Sequence, residues 1–167
     1  MGPKLEGLIF LEGMIVSAKV IQTAAAAVLA MCLGTGFAYA AADDAIKGRQ
    51  GCMKASGKMM GALAPMFKGE QPYDKATVDA AIAAHDAACA DWANWWGPDT
   101  QKGETVETWA KPEIWTDAAG FNAAGEAFYA KFVAVKDSTD EASFKAAFPE
   151  LGKACGGCHE KFRRAKE

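Results

Sequence analysis

The chain is predicted to be all-α, an antiparallel up-down four-helix bundle. Three observations carry that reading. Apolar residues recur at steps of three, four and seven in four separate stretches after residue 42, and breakers lie between them. The composition is 51% apolar and rich in alanine, with few β-branched residues, which favours helices over strands. The first and third connections are short, so consecutive helices must fold back on each other.

The first stripe is Ile46, Met53, Met60 and Phe67, with Leu63 between. Asp43 and Asp44 stand at its start, where carboxylates favour the helix dipole. Pro65 and Gly69 mark its end, and residues 68–73 read as a turn. The second stripe is Val78, Ile82, His85, Cys89, Trp92 and Trp96, with Asp74 as N-cap and Gly97-Pro98 as its stop. Residues 97–115 form the longest irregular stretch, a length that in a compact domain is functional or drapes over the core. Thr116 or Asp117 opens a third helix, with Phe121, Phe128, Phe132 and Val135 facing inward. Ser138-Thr139-Asp140-Glu141 reads as a capping box for the fourth. Its stripe is Phe144, Phe148, Leu151, Cys155, Cys158 and Phe162, and Pro149, lacking an amide donor, is expected to kink or restart it.

Ahead of these helices, residues 1–40 read as a secretory signal peptide. Lys19 precedes an apolar run from Val20 to about Phe37, and Ala38-Tyr39-Ala40 forms a small-x-small cleavage site. Residues 1–13 look superfluous, and Met14 is the more natural start. Cys32 follows a poor lipoprotein box and is lost with the leader. Two lysines and two glutamates leave with it, so residues 41–167 keep the net charge of −3. That mild acidity argues against nucleic acid or an anionic membrane surface as partner. Export implies a periplasmic location with no stable membrane insertion after cleavage.

The most specific motif is Cys155-Gly156-Gly157-Cys158-His159. Two cysteines three apart, with histidine directly after the second, make a covalent c-type haem attachment site. The two thiols would become thioethers and His159 the proximal iron ligand. Tetrahedral zinc would need the dispersed Cys52 and Cys89 as well, and a thioredoxin-like pair needs a βαβ context that is absent. One haem c per chain is therefore the expected cofactor.

Further residues extend this motif to both ends of the bundle: Arg49-Gln50-Gly51-Cys52-Met53-Lys54, Lys68-Gly69-Glu70-Gln71-Pro72-Tyr73 and Lys111-Pro112-Glu113-Ile114-Trp115. On these and on Cys155–Arg163 the chain resembles the class II c-type cytochromes across residues 43–165. That group includes cytochrome c′ and the low-spin, methionine-ligated cytochromes of the same fold. The resemblance implies haem near the C-terminus, Cys155 and Cys158 as attachment points and His159 as proximal ligand. It places Arg49 near the propionates, where a guanidinium makes paired hydrogen bonds, and Arg163 beside the proximal histidine.

Met53 matches the distal position and sets the function. Bound to iron, its thioether closes the site and suits electron transfer. Left unbound, as in some cytochrome c′ proteins, it leaves a five-coordinate iron that takes nitric oxide or carbon monoxide. The Gly51–Lys54, Met59-Met60-Gly61 and Gly156-Gly157 contexts look closer to the low-spin branch, so a periplasmic electron-transfer haemoprotein with His159 and Met53 as ligands is the leading reading. The gas-binding protein is its alternative. Expected partners are a redox protein and a diatomic gas, with a homodimer left open. Nothing positions a catalytic acid, base or substrate pocket, so no enzyme is expected. His85, on the inward stripe, reads as a core histidine before it reads as a sixth ligand. Cys52 and Cys89 come nearly level across the first turn, and both a disulfide and two buried thiols fit the spacing. Trp92, Trp95, Trp96, Trp109 and Trp115 read as packing around the second connection, ahead of an aromatic-ligand pocket.

Overall fold

A computed structural model describes residues 41–165, and all of its regular structure is helical. The leader expectation for residues 1–40 lies outside the described residues. Helix α1 spans 41–68, α2 Lys75–Ala88, a single-turn α3 Glu113–Thr116, α4 Ala118–Lys136 and α5 Glu141–Phe162. The four long helices form the bundle, and the contacts between them fix its directions. Phe67 meets Phe148, while Met60 lies against Gly152, so α1 and α5 run antiparallel. Met66 Sδ accepts from the Asp74 amide and Cys52 is joined to Cys89, which sets α2 antiparallel to α1. His85 packs on Phe132 and Trp92 on Phe121, and Phe121 in turn meets Phe162. The up-down order follows. No helix among the described residues is long and apolar enough to cross a membrane.

Local chemistry explains where the helices start and stop. Gly69 adopts φ +74°, a conformation that favours glycine, and Glu70 and Gln71 return their amides to the Pro65 carbonyl. Pro65 itself stays inside α1. The Asp74 carboxylate caps α2 at Ala76 N and Thr77 N, as expected. Asp117 caps α4 at Gly120 N. The capping box of α5 is two residues later than the sequence suggested: Asp140 accepts from Ser143 N, and the Ser143 hydroxyl reaches back to the Asp140 amide. Ser138 is instead buried: its hydroxyl donates to Val135 O at 2.7 Å, and its carbonyl accepts from the Tyr73 hydroxyl at 2.6 Å. Pro149 lies within an uninterrupted α5 and does not restart it.

Helix α2 ends at Ala88, well short of Trp96. The Cys89 amide bonds both His85 O and Asp86 O, tightening the last turn, and the tryptophans continue as a short 3₁₀ turn, Trp92–Trp95. The following stretch drapes over the N-terminal end of α1. Buried Asp43 holds it there by accepting the amides of Glu104, Thr105 and Val106 and the Thr105 hydroxyl.

The core is Met59, Leu63, Met66, Val78, Ile82, Phe132, Val135, Phe144, Phe148 and Leu151. The expected first stripe is only partly core. Ile46 and Leu63 are fully buried, but Met53 is 40% exposed and Phe67 38%, while Cys52, Met59 and Met66 lie inside. The line Met53–Met60–Phe67 runs along the flank of α1 that faces α5. Phe67 and Met60 find partners there, and Met53 lies beyond them, past the end of the packed core.

Candidate haem site

The motif occupies the penultimate turns of α5. Cys155 and Cys158, one helical turn apart, are free and half-buried, and His159 is half-buried beside them. Burial pushes both thiols above their ordinary pKa. It pushes His159 below its own, and the Arg163 charge adds to that effect. His159 is thus held as neutral imidazole near pH 7, the form that can donate a lone pair to a metal. An added Cβ at Gly156 or Gly157 would meet nothing within 4 Å, so the helix surface between the two cysteines is open, while Cys155 itself packs against the core. An open cleft lined by Gly156, His159, Glu160, Arg163, Arg164 and Ala165 flanks it.

Register carries the site across to α1. From the Met60–Gly152 contact, two turns back along α1 and two turns forward along α5 bring Met53 level with His159. One more turn brings Arg49 level with Arg163. The residues that sequence analysis singled out on the two helices therefore lie level at one end of the bundle.

Arg49 is 5% exposed. Its Nη2 donates to Thr100 O at 2.6 Å, and the guanidinium lies 4.7 Å from the Trp96 ring centre and 5.7 Å from that of Trp115. Its Nε and Nη1 are buried without an acceptor, and burial drops its pKa to about 10. Arg163, by contrast, is exposed and ends α5, with its amide bonded to His159 O. His85 is a core histidine: Nε2 lies 3.5 Å from Cys89 Sγ, and the ring packs between Phe128 and Phe132. Cys52 and Cys89 form a disulfide, their Cα atoms 4.9 Å apart. Although Cys52, His85 and Cys89 cluster, both sulfurs are tied up in that bond, and no other cysteine among the described residues is left to complete a zinc site with the motif. Four of the tryptophans pack as expected, Trp96 against Trp92 at 4.8 Å and Phe121 at 4.7 Å, whereas Trp109 is 43% exposed. Sequence reasoning missed the Thr100 carbonyl and the buried Trp96 Nε1, which also lacks a partner. The density of tryptophan beside Gly97-Pro98 was the only signal for them.

These features fit a haem. A paired thiol set and a neutral imidazole lie half-buried on one helix, an apolar thioether stands exposed at the same level of α1, and two buried guanidinium nitrogens of Arg49 lack an acceptor such as a propionate would supply. The protein-family model for "Cytochrome C'" matches residues 44–163. The chain belongs to the cytochrome c′ family. It is 35% identical to cytochrome c′ of Alcaligenes xylosoxydans xylosoxydans over 132 residues, covering 77% of this chain and 99% of that one. It is 38% identical to cytochrome c-556 of Rhodopseudomonas palustris over 134 residues, covering 77% and 89%. Among solved structures, it matches the nitric oxide complex of a variant of Alcaligenes xylosoxidans cytochrome c prime with a TM-score of 0.65 and 32% identity, over 74% of this chain and 97% of that one. The cytochrome c′ four-helix bundle and its covalently bound haem c follow from the family. The narrower expectation of a low-spin, methionine-ligated branch finds no support in these likenesses.

Proposed function

We propose that this cytochrome c′ family protein is a periplasmic, five-coordinate haemoprotein that binds nitric oxide or carbon monoxide on its distal face. The observation that carries the reading is the pairing of the half-buried Cys155–His159 set on α5 with an exposed Met53 at the same level of α1. The relative solved as a nitric oxide complex supports it. Haem, when bound, supplies an iron that cycles between ferric and ferrous and takes a small ligand on its free face.

The chain's own residues do the rest. Cys155 and Cys158 anchor the group through thioethers. His159 offers a neutral imidazole because burial and Arg163 disfavour its protonation. Arg49 turns its two free N–H groups on propionate charge, held in place by Thr100 O and the Trp96 and Trp115 rings. Met53 borders the free face with an apolar thioether and screens it from water. Residues 1–40 direct export and are removed before use.

Electron transfer with Met53 as sixth ligand is the second reading, favoured by the same alignment of Met53 with His159. Spectra separate the two. The gas-binding reading expects a high-spin spectrum in both oxidation states, a Soret shift on adding carbon monoxide to the ferrous protein, and faster binding, by several-fold, in Met53→Ala. A low-spin ferric spectrum with a thioether-to-iron charge-transfer band, and carbon monoxide binding only after Met53→Ala, would overturn it in favour of electron transfer.

A further inference from the structure

Helix α1 is held through Gly48, Arg49 and Gln50 and is sparsely anchored from there to Met59, the stretch that carries Met53. Between Ile46 and Met59 only Arg49 and Cys52 are buried; Arg49 is tied to Thr100 O and the Trp96 and Trp115 rings, and Gln50 Nε2 donates to Glu107 O at 2.8 Å. An added Cβ at Gly51 or Gly57 would meet nothing within 4 Å, so those faces of the helix touch nothing. Between Arg49 and Met59 the one buried residue is Cys52, 2% exposed and bonded to Cys89. Its far end is firmly held: Cys89 caps α2 and lies against His85, which packs on Phe128 and Phe132 of α4. Its near end is reinforced by Ser56, whose hydroxyl donates to the Cys52 carbonyl at 3.0 Å.

Met53 follows Cys52 directly, about 100° further round the helix. The bond that draws Cys52 onto α2 therefore sets how far the Met53 backbone stands from α5. On the α5 side Gly152, beside Met60, presents no side chain to α1.

We propose that the Cys52–Cys89 disulfide is a positioning element for the distal face: it holds α1 against α2, keeps the Met53 sulfur off the iron, and so keeps that face open to a diatomic gas. This rests on the reading of Met53 as the distal residue. Released from the bridge, α1 leans toward α5 and the thioether closes on the metal.

The test compares four haem-loaded proteins: the parent, Met53→Ala, Cys52→Ala/Cys89→Ala, and the triple variant. The ferric spectrum and the rate of carbon monoxide binding to the ferrous form are read for each. The bridge-less variant is expected to gain low-spin character and to bind carbon monoxide at least tenfold more slowly, with the triple variant returning to the Met53→Ala rate. An unchanged spectrum and rate in the bridge-less variant, alongside a changed rate in Met53→Ala, overturns the positioning role and leaves the distal reading standing. No change in Met53→Ala overturns the distal reading itself. A bridge that only stabilises the fold would lower the melting temperature without moving spectrum or rate, and that outcome also overturns the proposal. Should the double variant not fold, reducing the bond in the parent with a dithiol and alkylating both thiols gives the same comparison.

Discussion

The two ends of the bundle solve the same burial problem differently. At the end where α1 turns into α2, side chains close the core completely. Phe144, Leu63, Val78 and Val135 are fully buried there, and the polar groups satisfy each other through Tyr73, Ser138, Asp140 and Ser143. At the other end, the described residues leave Arg49 with two buried N–H groups unmatched, Trp96 with one, Glu113 with a lone carboxylate oxygen, and Met53 exposed. Unmatched buried polar atoms cost roughly 1–3 kcal/mol each, so such a cluster persists only where something else completes it. One end is finished by the chain, and the other is shaped for a cofactor.

Breaking the closed end should give the largest effect on stability and none on the iron. Phe144→Ala removes a fully buried ring that packs on Tyr73 and Phe148. It should cost about 4 kcal/mol in denaturant unfolding of the haem-loaded protein, with an unchanged absorption spectrum. A spectral change would show that the two ends are not separable.

The open end offers a test in which the sign matters more than the size. If Arg49 balances a haem propionate, Arg49→Met strands an anion and should destabilise the haem-loaded protein by about 3 kcal/mol. If nothing anionic faces it, replacing a buried, half-satisfied cation with an apolar chain of similar length is neutral or stabilising. Loss of stability in the same unfolding measurement is the expected result. A gain would remove Arg49 from the site.

Legibility in the sequence follows the same division. The four helices, their antiparallel order and the caps at Asp74 and Asp117 were readable because periodicity and capping are local signals. The motif at Cys155–His159 was readable because its chemistry needs fixed spacing. What periodicity could not separate was core from cofactor face. Met53, Met60 and Phe67 share a seven-residue spacing with Ile46, yet that line faces α5 and an open end. The end of α2 was misplaced because the Trp92–Trp96 pattern continues helically while the backbone tightens at Cys89. The disulfide depended on side-chain direction, which level counting along two helices does not fix. The match of Arg49 with Trp96, Trp115 and Thr100 spans more than fifty residues of chain, and no local rule announces it.

His85 stands between the two ends and gives the smallest test. It is the one buried polar side chain of the middle layer with an unmatched nitrogen: Nδ1 is 3.6 Å from Asp86 Oδ1, too long for a good hydrogen bond but close enough for charge attraction. Burial holds its pKa below the ordinary 6.5, and Asp86, itself 3.9 Å from Lys136, offsets only part of that. The unfolded chain therefore binds a proton at a higher pH than the folded one. The stability from keeping His85 neutral is complete above about pH 6.5. It falls as the pH drops from there toward the folded pKa, and it is gone below that value. Every other group that titrates in this range is common to both proteins, so a difference between them isolates His85. His85→Phe keeps the ring contacts with Phe128 and Phe132 and removes the titration. Between pH 7.5 and 5 its melting temperature should fall by about 2 °C less than that of the parent. Identical slopes would mean that His85 reaches water in the folded chain, and that the middle of the bundle belongs with its open end.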